Sequence, residues 1–111
     1  MPAKFELKQS KGGRYMWNLH ASNGEVILTS QQYKSKSSAK KGISSVQVCA
    51  SSDNLFERRK AKNGDGYFVL KARNGRVVGS SEQYKSNRAL ENGIKSVCKN
   101  APGASTKDLT G

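Results

Sequence analysis

The sequence predicts an α+β fold: two tandem β-β-β-α repeats sharing one antiparallel sheet, with the helices packed on one face. Three observations carry the prediction. The 111-residue chain repeats itself at an offset of 51 positions. Polar and apolar residues alternate over short runs separated by glycine-bearing turns, the mark of strands with one wet face. Each copy ends in a segment whose apolar residues fall three or four apart, the mark of a helix buried along one stripe.

Residues 5–50 align with 56–101 without a gap and match at 19 of 46 pairs, where chance would give only a few. The matches include Phe5/Phe56, Leu19/Leu70, Val26/Val77, Tyr33/Tyr84, Ile43/Ile94 and Val46/Val97. A half of this length is marginal as an independent domain. The two copies are therefore expected to share a core in a single domain over 1–101, with repeats at 3–50 and 54–101. The tail 102–111, "PGASTKDLTG", shows no periodicity and is expected to be flexible.

"KFELKQ" opens the first copy, with Phe5 and Leu7 on one face and Lys4, Glu6 and Lys8 on the other. "RYMWNLHA" alternates again, placing Tyr15, Trp17, Leu19 and Ala21 together; Phe68, Leu70 and Ala72 match in the second copy. Asn23-Gly24 and Asn74-Gly75 follow. This dipeptide tolerates the positive φ angles of a type I′ hairpin turn. "EVILTSQ" and "RVVGSSE" read as the return strands. Ser35 and Ser86 are positioned to cap the helices that follow. Their stripes are Ala39, Ile43, Val46, Ala50 and Leu90, Ile94, Val97, Ala101. Gly42 and Gly93 lie inside these helices, where glycine costs about 1 kcal/mol against alanine; their recurrence points to close approach of helix to sheet. Gly79 stands where the first copy has Leu28, so the halves cannot pack identically, and Leu90 against Ala39 is expected to compensate in volume. Pro102 stops the second helix.

The motifs of both copies resemble the YegP-like family of small bacterial proteins. The resemblance rests on Asn23, Gly24, Ser30, Tyr33, Gly42, Ile43, Ser45 and Val46, and on Asn74, Gly75, Ser81, Tyr84, Gly93, Ile94, Ser96 and Val97. It implies a tandem β3α single sheet in which each helix packs across onto the other repeat's half. It implies no activity and no catalytic residues.

Twenty Lys and Arg stand against eight Asp and Glu, a net charge of +12, shared as +6 by residues 1–50 and +6 by 51–111. Such an excess raises solubility and attracts polyanions, nucleic acid among them. No run approaches the roughly 20 apolar residues of a membrane span, and the N-terminus lacks a signal-peptide core. A cytoplasmic location is expected, with Cys49 and Cys98 reduced.

Little catalytic chemistry is legible. His20, the one histidine, is matched by Lys71 and is expected to lie in water on the polar strand face. Cys49 and Cys98 do not match under the repeat and read as semi-buried small hydrophobes; with one histidine they fall short of a zinc set. Glu6 and Glu57 read as cross-strand ion-pair members. No catalytic residue, cofactor or metal is expected. The repeated "QYKS" has two accounts. Tyr33 and Tyr84 close the core's edge with their hydroxyls in water, or, with Lys34 and Lys85 near helix N-termini, they grip phosphate or stack a base. Further cations cluster as Lys34, Lys36, Lys40 and Lys41, and as Arg58, Arg59 and Lys60. The functional expectation is a non-enzymatic binding module for nucleic acid or another polyanion, contacting it through these tyrosines and cations. The alternative is a protein-interaction module using a sheet edge or aromatic patch. The chain is expected to be a monomer with pseudo-twofold symmetry.

Overall fold

The computed structural model describes residues 3–49, 55–73 and 75–110, with position 49 described by its backbone only. The expectations for the Cys49 side chain, for Ala50 in the first helical stripe and for Asn74 lie outside the described residues. In chain order the elements are β1 (Lys4–Gln9), β2 (Tyr15–His20), β3 (Val26–Ser30), α1 (Lys36–Cys49), β4 (Phe56–Lys60), β5 (Gly66–Lys71), β6 (Val77–Ser80), α2 (Asn87–Asn100) and β7 (Ser105–Asp108). They form one seven-stranded sheet in the order β4-β5-β6-β3-β2-β1-β7. The three-stranded halves meet where β3 runs antiparallel to β6, pairing Thr29 with Ser80 and Ser30 with Gly79.

One core receives both repeats. Ala39, Ile43 and Val46 of α1 and Leu90, Ile94 and Val97 of α2 join Phe5, Leu7, Trp17, Leu19, Leu28, Phe56, Phe68 and Leu70 in a single buried cluster. Each large member withdrawn from water contributes on the order of 1.5–3 kcal/mol. The helices cross the seam: α1 packs on β5 and β6 as well as β1 and β2, and α2 on β3 as well as β5. Edge-to-face pairs recur at matched positions, Phe5 with Trp17 (centroids 5.3 Å apart) and Phe56 with Phe68 (5.7 Å). Both predicted caps form, the Ser35 hydroxyl accepting from Ser38 N–H and the Ser86 hydroxyl from Ala89 N–H, each at 3.1 Å.

Several expectations are corrected. The Asn-Gly turn is not type I′. Asn23 keeps a negative φ and only Gly24 is left-handed, at φ 87°. Gly24 N–H closes a turn on the Ala21 carbonyl (2.9 Å), while Asn23 Oδ1 accepts from Glu25 N–H (3.0 Å). This is a three-residue loop, a turn followed by one left-handed glycine. Asn's side chain satisfies the backbone there, which removes the need for positive φ at Asn. The Ala61–Asp65 loop repeats these bonds through Asn63 and Gly64.

The sheet is not wholly antiparallel and the tail is not all frayed: Ser105–Asp108 pairs in parallel with β1. Leu109 N–H donates to the Leu7 carbonyl (2.8 Å), Gln47 Nε2 donates to the Ala104 carbonyl (3.1 Å), and Lys36 pairs with Asp108. All four β7 side chains are exposed, so no face imposes alternation. Backbone bonds and one ion pair specify the strand, and neither leaves a periodic trace.

A further correction concerns volume. Leu90 fills space over Gly66, where an added Cβ would lie 2.9 Å from Leu90 Cδ1. The first copy carries the opposite assortment, Tyr15 and Ala39, at the matched positions. Gly79 has its own reason. A Cβ there would stand 3.0 Å from Leu28 Cγ and 3.1 Å from the Thr29 carbonyl. At the seam one copy keeps the leucine and the other yields the room.

Inside the helices, a Cβ on Gly42 would strike the Tyr33 hydroxyl, with Tyr33 Cζ at 2.9 Å and Trp17 Nε1 at 3.1 Å. On Gly93 it would strike the Tyr84 hydroxyl, with Cζ at 2.8 Å and Phe68 Cε2 at 3.1 Å. The tyrosine hydroxyls are therefore tucked under the helices instead of standing in water.

Three outcomes follow from this packing. Gly42→Ala and Gly93→Ala each lower stability in urea unfolding by about 1–3 kcal/mol, the overpacking cost exceeding the gain in helix propensity; adding Tyr33→Phe or Tyr84→Phe recovers part of the loss. Gly66→Tyr is strongly destabilising alone and better tolerated with Leu90→Ala, which a double-mutant cycle measures. Asp108 is held well below the usual carboxylate range by Lys36 first, then by the Thr110 hydroxyl and N–H. Its folded value is depressed, so its contribution is complete above the unfolded value of about 3.9 and is lost as pH falls below that toward the folded value. The carboxyl carbon of Asp108 should show no NMR titration midpoint near pH 4.

Candidate functional site

The two helix starts and the two outer strands hold the candidate residues. β1 and β4 are separated by five strand spacings, about 24 Å at roughly 4.8 Å each. Lys34, Lys36, Lys40 and Lys41 gather at the start of α1 on the β1–β7 side, where Lys36 meets Asp108. Arg58, Arg59 and Lys60 occupy β4 at the far edge, with Tyr84 and Lys85 before α2. The ten residues form two groups, not one surface.

The groups differ in electrostatics. Arg58 grips Glu91 of α2 with two hydrogen bonds, 2.6 and 2.8 Å, and Arg59 pairs with Glu57. Glu91 is held below its ordinary value first by Arg58, and Glu57 first by Lys71 and then Arg59. Near α1, Lys36, Lys40 and Lys41 line an open depression with Ser37 and Ser44. Among the described residues Lys34, Lys40, Lys41, Lys60 and Lys85 hold no ion pair. Neither helix carries an acid in its first turn.

Tyr33 and Tyr84 are half-buried and take part in the fold. Each forms a two-bond bridge to a strand start, Tyr33 with Tyr15 and Tyr84 with Gly66. Burial pushes both hydroxyls above the ordinary phenol value; at Tyr84 the charges of Glu82 and Glu25 add to this. The Tyr84 ring stacks on Phe68 at 6.1 Å. With their hydroxyls under the helices, the exposed members of the "QYKS" pairs are Lys34 and Lys85.

His20 is not bathed in water. Its side chain is 16% exposed, with Nε2 3.0 Å from Glu6 Oε1 and Nδ1 3.2 Å from the Gly24 carbonyl. Burial alone would raise the Glu6 carboxyl, but Lys4, His20 and Lys8 together hold it below its ordinary value. Lys71, the repeat counterpart of His20, bonds Glu57 at 2.9 Å. The matched positions thus supply a nitrogen donor to a matched glutamate, a pairing the repeat alignment already contains in Glu6/Glu57 and His20/Lys71. Among the described residues no group of three or more His, Cys, Asp or Glu is arranged to hold a metal ion, and no helix is long and apolar enough to cross a membrane.

Comparison with known proteins gives the chain its relatives. A family model described as a domain of unknown function (DUF1508) matches twice, at residues 10–57 and 61–108. The second match runs through Asp108, so β7 falls within the family's unit. A UPF0339 protein of Bordetella pertussis is 54% identical over 110 residues, covering 99% of this chain and 98% of the relative. The UPF0339 protein YegP of Yersinia pestis is 48% identical over 106 residues, covering 96% and 95%. Two solution NMR structures share the fold. YegP of E. coli, itself of unknown function, has a TM-score of 0.94 at 43% identity, covering 100% of this chain and 96% of that one. The UPF0339 protein of Shewanella oneidensis has a TM-score of 0.92 at 44% identity, covering 99% and 93%. The chain is a tandem-repeat member of the DUF1508 family, in its YegP-like form.

Proposed function

We propose that the protein is a non-enzymatic binding module for a polyanion, with nucleic acid the leading partner, and that the outer side of α1 receives it. The observation that carries this reading is the open depression lined by Lys36, Lys40 and Lys41 with Ser37 and Ser44, where Lys36 is paired with Asp108 and, among the described residues, Lys40 and Lys41 hold no ion pair. Lys34, exposed just before α1 and without an ion pair among the described residues, extends the same charge. Charge of this density attracts phosphate chains with little sequence preference.

The bound surface is smaller than the full set of candidate residues. Arg58 and Arg59 spend their charge on Glu91 and Glu57. Among the described residues no strand covers the edge they decorate, and cations on such an edge also discourage strand-to-strand aggregation. The aromatic version of the protein-interaction alternative loses support for a similar reason, since Phe5, Trp17 and Phe68 are wholly buried.

Titration with a fluorescent DNA duplex at several salt concentrations tests the reading. About three phosphate contacts give a slope of log affinity against log salt near −3. Lys34→Glu, Lys40→Glu and Lys41→Glu together should weaken binding at low salt by about tenfold or more, while Arg58→Ala changes it little. Affinity unchanged by salt, or by the triple substitution, overturns the proposal.

A further inference from the structure

We propose that the outer edge of β1 is a self-association surface for β1 of a second copy of this chain, held closed in cis by β7. The two ends of the sheet are treated differently, although the repeats place matched strands there. Among the described residues β4 ends the sheet with no strand beyond it. Its run Arg58, Arg59 and Lys60 is exposed and would set like charges opposite one another in an antiparallel pair of β4 strands. β1 carries Leu7, Lys8 and Gln9 at the matched positions, so its edge lacks that run of cations. That is the edge β7 covers.

Backbone parity leaves the β1 edge free to pair, and charge selects how two β1 edges would meet. The Leu7 carbonyl accepts from Leu109 N–H, so Leu7, and by alternation Phe5, turn their backbone groups to the edge. Two β1 strands can then pair antiparallel about a twofold axis at Phe5, Glu6 or Leu7, because residues set opposite one another share parity and form alternately hydrogen-bonded and non-hydrogen-bonded pairs. An axis at Leu7 sets Glu6 opposite Lys8 of the second copy; an axis at Phe5 sets Lys4 opposite Glu6. An axis at Glu6 would set Glu6 against Glu6 and Lys4 against Lys8, so charge selects the other two. The permitted contacts are isologous and closed, the geometry of a C2 dimer.

The cap is lightly held. β7 buries none of its four side chains; among the described residues its attachments beyond the ladder are the Lys36–Asp108 pair and the Gln47 bond to Ala104, the small core residue that leads into it. It joins α2 through the short turn Ala101–Gly103, which contains Pro102.

Because Leu109 N–H faces β1, alternation turns Lys107 N–H to β1 as well, and Lys107→Pro removes that donor. Asp108→Lys, in parallel, replaces the ion pair with repulsion. Oligomeric state by light scattering and amide exchange by NMR are measured on full-length protein up to several hundred micromolar. The unmodified chain should be monomeric. Both variants should lose β7 protection and raise the dimer fraction about tenfold or more, with Phe5 and Leu7 amides staying protected; Lys36→Asp added to Asp108→Lys should restore the monomer. The proposal is overturned if the unmodified chain already dimerises, if β7 stays protected in both variants, if β7 is released and the chain remains monomeric, or if the dimer protects β7, which would mean exchange of that strand between copies.

Discussion

The antiparallel seam between β3 and β6 is what the rest of the molecule depends on. It joins two three-stranded half-sheets, neither of which has enough helix above it to cover its own apolar face. Across the seam each helix reaches strands of the other copy, and the stripes of both sink into one cluster. The seam also uses up two strand edges that would otherwise be open to other chains. Only two residue pairs are in register there, so the cohesion comes mainly from the crossing helices and much less from the ladder.

Symmetry at the level of backbone imposes asymmetry at the level of side chains. Near a pseudo-twofold axis matched positions compete for the same space, and two leucines at 28 and 79 would compete for it; the glycine at 79 resolves that conflict. Away from the axis the copies drift as volume-conserving pairs, Tyr15 with Ala39 in one and Gly66 with Leu90 in the other. Where the demand is identical, the residues are identical: Tyr33 over Gly42 and Tyr84 over Gly93 bring helix and sheet closer than any residue with a Cβ would permit.

The distribution of carboxylates sorts the basic residues. Glu6, Glu57, Glu91 and Asp108 each sit against cations that lower their pKa. The open face of the sheet is laced with pairs around Glu6 and Glu57, and β4 is tied to α2 through Arg58 and Glu91. What is left over stands mainly on exposed turns and helix surface, which is where an external anion meets the least competition.

Much of the fold was legible in residues alone. The offset of 51, the alternation in "KFELKQ" and the stripe Leu90, Ile94, Val97 name the strands, the helices and their buried faces, because periodicity records which side of an element leaves water. The ion pairing of Glu6 and Glu57 was legible too, from alternation next to lysines. Less of the candidate site could be read. Sequence places Arg58 beside Arg59 and Lys60 as one basic cluster, but Glu91, which engages Arg58, lies 33 positions away. It places Tyr33 beside Lys34 as a pair, yet packing turns the hydroxyl under Gly42. β7 leaves no pattern at all, since a strand held by its backbone with every side chain in water asks nothing of composition. The sequence by itself determined which residues face inward and that two like units exist. Only the tertiary structure decided which charges are spent on partners, which glycine yields to which side chain, and what closes the edge of β1, because those depend on groups brought together from distant parts of the chain.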